Sequence, residues 1–249
     1  MRYNQVDNEL YNNDNYAADL FAAAAAADER SSFITKTYLY LFGAVAALIG
    51  IECVLFTACG MDRMMQVTQR MCGGDFSWII VLGAFMAVSW IANAWAMNAA
   101  SSAMQHAGLA LYVAAQSVIL IPLLCLAQLK TGDTSLIVSA GMATAGLFAL
   151  LTATVFMTRK DFSFLRGICI FGGLAALGFL IVAPLCGFAI GPVFTYLMIA
   201  LACCYILYDT SNVLHHYRIG QHVAASLALF ASVVILFWYI LRLFMSNRD

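Results

Sequence analysis

The chain has 249 residues, of which 63% are hydrophobic and only 10% charged, with a formal net charge of −1 and a mean hydropathy of +0.87. A soluble domain is about one quarter charged, so this chain cannot clothe itself in water. It also lacks the basic excess that a nucleic-acid partner would need.

In chain order, residues 1–37 read as a polar, partly disordered tail. Its early part is acidic (Asp7, Glu9, Asp14, Asp19, Asp28, Glu29) and has no apolar core of a secretory signal, so none is expected. The run from Phe21 through Ala27 favours helix but is too short to cross a bilayer. Ser31 and Ser32 are candidate N-caps for the first span.

Residues 38–249 then read as one transmembrane domain. Seven apolar runs, roughly Tyr38–Ala58, Phe76–Met97, Ala107–Leu129, Ser135–Met157, Phe164–Phe188, Val193–Leu214 and Val223–Met245, are long enough to cross a hydrocarbon core of about 30 Å as helices. Strands are excluded because an open sheet edge in lipid leaves amides and carbonyls unpaired. The fold class is therefore an all-α integral membrane protein, a seven-transmembrane helix bundle with a short polar N-terminal tail. Short connections make neighbours antiparallel. Pro122 predicts a kink in the third span, and Pro184 and Pro192 bracket the turn between the fifth and sixth. Counting Lys and Arg beside the spans gives a small bias toward a cytoplasmic N-terminus and an outside C-terminus.

Six of the eight cysteines lie in or at the ends of apolar runs and act as small hydrophobes. Cys59 and Cys72 share the connection between spans one and two. If that connection faces an oxidising compartment, they are candidates for a disulfide. The alternative is two free thiols, since sequence does not bring their Cβ atoms together.

Ionisable residues inside spans are the informative exceptions, because each costs about 3 kcal/mol at the membrane centre. Glu52, toward the outer end of span one, and Asp209, nearer the cytoplasmic end of span six, are the two clear cases. Both are candidate ion or proton sites. The alternative for Asp209 is a protonated acid bonding a neighbouring helix. Tyr205, Asp209 and Asn212 fall on one stripe at i−4 and i+3. His106 opens the third span and suits a structural role. His215, His216 and His222 lie in a polar connection without the spacing of a zinc set, so no metal is expected. The run from Thr158 to Ser163 reads as a charged turn, with Asp161 or Ser163 capping the next helix. A Tyr-Asp pair raises the thought of an aspartyl protease, but no second aspartate lies in another span, and no Gly-x-Ser-Gly serves a serine nucleophile. No enzymatic activity and no cofactor are expected.

These same segments carry a family resemblance. Phe33-Ile34-Thr35-Lys36-Thr37-Tyr38 resembles the start of the first span in Bax inhibitor-1-like membrane proteins of bacterial type. Ala140-Gly141-Met142, the Thr158–Ser163 turn, Ile206-Leu207-Tyr208-Asp209-Thr210 and the closing Leu236–Phe244 stretch resemble further elements in the same order, covering residues 30 to 245. The resemblance implies a seven-helix bundle in the inner (plasma) membrane, with the lipid bilayer as its surroundings. It also implies a pH-sensitive Ca²⁺ or other cation leak and a link to stress response. The alternative it implies is a non-transporting regulator that binds another membrane protein, such as a membrane-anchored AAA protease. In the leak scheme an aspartate on span six pairs with one on span seven. Asp209 matches the first; the second position falls on Ser232, and the nearby family asparagine on Ile235. No Lys or Arg lies between Arg70 and Lys130 to supply the scheme's span-two arginine, and Asn93 is the most obvious polar residue there. Ser232 and Asn93 are thus expected beside a lone Asp209, which desolvation keeps protonated in a dry bundle and which ionises when water or a cation enters.

Overall fold

The computed structural model describes residues 21, 25–74, 77–98, 101–187 and 191–247. Most of the predicted tail, residues 1–20 and 22–24, lies outside the described residues, as do the ends of the second and fifth predicted spans, Phe76 and Phe188. The described residues form seven helices: α1 Ala27–Cys72, α2 Ser77–Ala96, α3 Ser102–Thr131, α4 Ser135–Thr158, α5 Leu165–Leu185, α6 Pro192–His215 and α7 His222–Ser246. Each is long and apolar enough to span a membrane, and the described residues contain no strand beyond an isolated bridge between Phe21 and Arg218.

The chain enters at one end of the bundle, the near face, and the helices alternate in direction across it. α3 and α7 form the centre. α1, α4 and α6 pack against α7, α2 leans on α3, and α5 rests chiefly on α6. Within lipid the hydrophobic effect does little to join helices, so close van der Waals fit has to do it. Small residues accordingly sit fully buried at the crossings: Ala92, Ala96, Ala140, Ala202 and Ala225. Phe230, Leu229 and Leu236 of α7 fill the middle, with Tyr112 edge-on to Phe230 at 6.0 Å. The tightest approach is at Gly108 of α3, where an added Cβ would lie 2.5 Å from the Ala92 carbonyl and 2.7 Å from the Ala96 nitrogen. Only glycine leaves room for the α2 backbone there.

Three local expectations are corrected. α1 starts at Ala27, not Tyr38, and its N-cap Ala26 makes no side-chain cap, so Ser31 and Ser32 are helix-interior residues. The connection after span one is itself helical. Gly60, at φ 76°, breaks α1, and residues 61–72 continue as a second segment. Met64, Thr68 and Met71 form its buried face, with Met64 against Ile121 and Cys125. That segment bears on the disulfide: Cys59 and Cys72 are both free. They stand at opposite ends of about 18 Å of helix, whereas a bridge needs Cα atoms within about 7 Å.

The remaining turns obey their sequence signals. Pro192 opens α6 at the first helical position, where its missing N–H costs nothing. Pro122, where a kink was expected, is the exception: it lies within α3, which continues as one helix through it with no non-helical residue. Between α3 and α4, Gly132 takes the left-handed cap (φ 73°), and Asp133 accepts from the Ser135 amide at 3.0 Å. α4 ends less comfortably: Arg159 adopts the same left-handed conformation (φ 50°) with a side chain attached, at a cost of about 1 kcal/mol.

Candidate functional site

Asp209 sits between α6 and α7, partly buried, and accepts a 2.5 Å hydrogen bond from the Ser232 hydroxyl. The expected pairing of these two positions is present in the structure. Cys169 of α5, Tyr205 and Tyr217 also lie close enough to feel its charge. Among the described residues no cation pairs with it. The stripe of Tyr205, Asp209 and Asn212 does not act as one unit. Tyr205 turns to α5 and donates to the Cys169 carbonyl at 2.7 Å, while the Asn212 carbonyl accepts from the His216 and Tyr217 amides.

Asn93 is not part of this site. It lies on the exposed side of α2, whose only buried residues are Ala92 and Ala96. The reason is the close crossing at Gly108: it turns the Ala92/Ala96 edge inward and leaves Asn93 to the outside.

Glu52 forms a separate site toward the far face. It is 9% exposed, and neither carboxylate oxygen has a hydrogen-bond partner. It lines a cavity of ≈ 220 Å³ with Leu48, Phe56, Leu120, Leu124 and Phe237, where Gln128 and Thr134 supply the polar edge. α7 serves both carboxylates. Ser232 touches Asp209, and Phe237 lines the Glu52 cavity, five residues and about 7.5 Å further along the helix.

One feature of the core had no sequence signal. The hydroxyls of Tyr38 (α1), Thr152 (α4) and Thr210 (α6) are buried and gathered together, Tyr38 within reach of both threonines, yet no pair meets hydrogen-bond distance and angle. Threonines within helices usually bond the carbonyl one turn back, as Thr37, Thr144 and Thr154 do. Thr152 and Thr210 do not, and nothing in their sequence setting distinguishes them.

At the near face, Asp161 ties the α4–α5 turn to α6. Its Oδ1 accepts from the Ser163 amide at 2.9 Å and from the Ser163 hydroxyl, and from Ser211 at 3.3 Å. Ser211 in turn accepts from the Phe162 amide at 2.9 Å. His216 Nε2 stands 3.7 Å from the other carboxylate oxygen. The Ser163 hydroxyl, aided by the histidine charges, holds the Asp161 carboxyl below its ordinary range. Burial, with Asp209 next in weight, pushes the nearby Tyr217 phenol up. The carboxylate closes the turn on Ser163, ahead of Leu165 where α5 begins, instead of bonding an amide of that helix as expected, and it makes a link to Ser211 that had no sequence signal. His106 is structural as expected: Tyr40 hydroxyl and His106 Nε2 are 2.7 Å apart, and Nδ1 is 2.6 Å from the Ser102 carbonyl.

Residues 30–249 match the family model described as inhibitor of apoptosis-promoting Bax1. Bax inhibitor 1 of Schizosaccharomyces pombe is 34% identical over 123 residues, covering 46% of this chain and 44% of that protein. The Golgi anti-apoptotic protein of vaccinia virus (strain Lister) is 30% identical over 122 residues, 47% of this chain and 50% of the viral protein. The aligned part thus spans about half the length of these relatives. With a family match over nearly its whole length and seven helices suited to span a membrane, the chain belongs to the Bax inhibitor family of integral membrane proteins.

Proposed function

We propose that this protein is a pH-sensitive leak for cations, Ca²⁺ or protons, with Asp209 and Ser232 as the closing contact. The observation that carries this reading is the 2.5 Å bond between them. A carboxylate within a span is costly, and here its one hydrogen bond joins α6 to α7 at the level where a path between them would run. Ser232 stands where a second aspartate would give two coupled protonations; a lone carboxylate gives one. The protonated form keeps the contact neutral and closed, and the ionised form attracts a cation. Glu52 offers a second stop further along α7. The near face is read as cytoplasmic from the Lys/Arg bias, and the membrane as a plasma (inner) membrane from the resemblance to bacterial-type members of the family.

The test is Ca²⁺ and proton flux in liposomes holding the purified chain. Flux is expected to rise with pH as a single-proton titration. Asp209→Asn should remove the pH dependence, and Ser232→Asp should convert it to two steps. Unchanged flux in Asp209→Asn would make the carboxylate structural.

In that case a second reading takes over, that of a regulator docking on other membrane proteins. The observation favouring it is α2, which buries only Ala92 and Ala96 and leaves Trp90 83% exposed. The names of the relatives, Bax inhibitor and anti-apoptotic protein, suit either reading.

A further inference from the structure

At the near face, a cavity of ≈ 440 Å³ opens between the start of α1, the end of α4 and the end of α6. Arg30, Ser31, Thr35 and Arg159 give it a polar rim, and Ile34, Phe156 and Leu214 floor it. Among the described residues no carboxylate lines it, and neither arginine has an acidic partner. Asp28 and Glu29 border a different cavity, beside Lys36 and His222. The basic cavity of the far face differs, because there Lys130 is bound to the Met245 carbonyl at 3.1 Å.

Two further observations point outward. Below the rim, α1 continues as an exposed apolar stripe through Leu39 and Phe42, and Met157 near the end of α4 is exposed as well. The cavity therefore sits at the head of a surface made for hydrocarbon. Arg159 also holds the left-handed backbone conformation that glycine would take without strain. Strain kept at a residue lining a cavity is a mark of use.

We propose that this cavity binds the phosphate of an anionic phospholipid headgroup, with Arg30 and Arg159 holding the phosphate oxygens. Ser31 and Thr35 donate to its remaining oxygens, and the acyl chains lie along Leu39, Phe42 and Met157. Guanidinium suits this task because its planar donors match phosphate oxygens in pairs. The inference stands apart from the leak, since it involves neither Asp209 nor Glu52.

The experiment is native mass spectrometry of the purified full chain, titrated in detergent with dioleoyl phosphatidylglycerol or dioleoyl phosphatidylcholine. One phosphatidylglycerol should bind at least about tenfold more tightly than phosphatidylcholine. Arg30→Gln with Arg159→Gln should erase that preference, while Lys160→Gln, which lies on the same turn but does not line the cavity, should keep it. Arg159→Gly guards against misfolding: it suits the left-handed cap, so the variant should melt no lower than the parent yet bind phosphatidylglycerol more weakly. Equal binding of the two lipids would overturn the proposal. So would an equal loss in Lys160→Gln, which would mark general surface attraction. Displacement of phosphatidylglycerol by inorganic phosphate at similar concentration would also overturn it, by assigning the cavity to a free anion.

Discussion

Asp209 and Glu52 are both carboxylates set within spans, and the bundle treats them oppositely. Asp209 receives the Ser232 hydroxyl from the next helix, while Glu52 is enclosed by leucines and phenylalanines with both oxygens unpartnered. A bonded carboxylate contributes to holding two helices together. An orphaned one is a standing cost, kept for a reason other than stability. The same chemical group thus serves cohesion in one half of the bundle and works against it in the other.

The sharpest way to break this contrast is to make both sites apolar and compare signs. Asp209→Leu should destabilise the protein by about 2–3 kcal/mol, because it strands the Ser232 hydroxyl between α6 and α7 and forces bulk into their contact. Glu52→Met should do the reverse, raising stability by about 1–2 kcal/mol as an unpaired buried carboxylate gives way to apolar volume. Thermal melting in one detergent measures both. Two losses of equal size would mean that Glu52 has a stabilising partner after all.

The smallest effect belongs to Asp161, a carboxylate in water that serves as the reference for both. Its carboxyl is held below the ordinary range, chiefly by the Ser163 hydroxyl. A depressed carboxyl contributes stability that is present above its unfolded value of about 3.9, and that is lost as pH falls through the folded value. The melting temperature of the parent should therefore drop slightly more than that of Asp161→Asn between roughly pH 5 and roughly pH 3. An identical pH slope in the two proteins would remove Asp161 from the account.

The spans were legible because a run of apolar residues near the required length admits one structure in lipid. The pairing of Asp209 with Ser232 was legible through the family resemblance. The features that stayed hidden depended on contacts between distant segments. Asn93 looked like a partner by composition, but the direction of its side chain is set by where Gly108 lets α2 approach. The segment after Gly60 looked like a loop because of its polar residues. Its helix buries Met64, Thr68 and Met71, with Met64 against Ile121 and Cys125 of α3, a fact of packing and not of propensity. The hydroxyls of Thr152 and Thr210 look like any others in sequence, and only the core reveals that they are unpaired.

The approach of α2 to Gly108 also bears on inheritance. Most single-base changes in a glycine codon replace the residue, and every replacement brings at least a Cβ. At this position that atom meets backbone on the neighbouring helix, which cannot swing aside as a flexible side chain would. Codon 108 is therefore closed to drift. Gly43, Gly50 and Gly83, around which a Cβ would meet nothing within 4 Å, leave their codons open by comparison. In a library carrying all substitutions at these four positions, survivors should be rich in variants at the latter three and all but empty at the first.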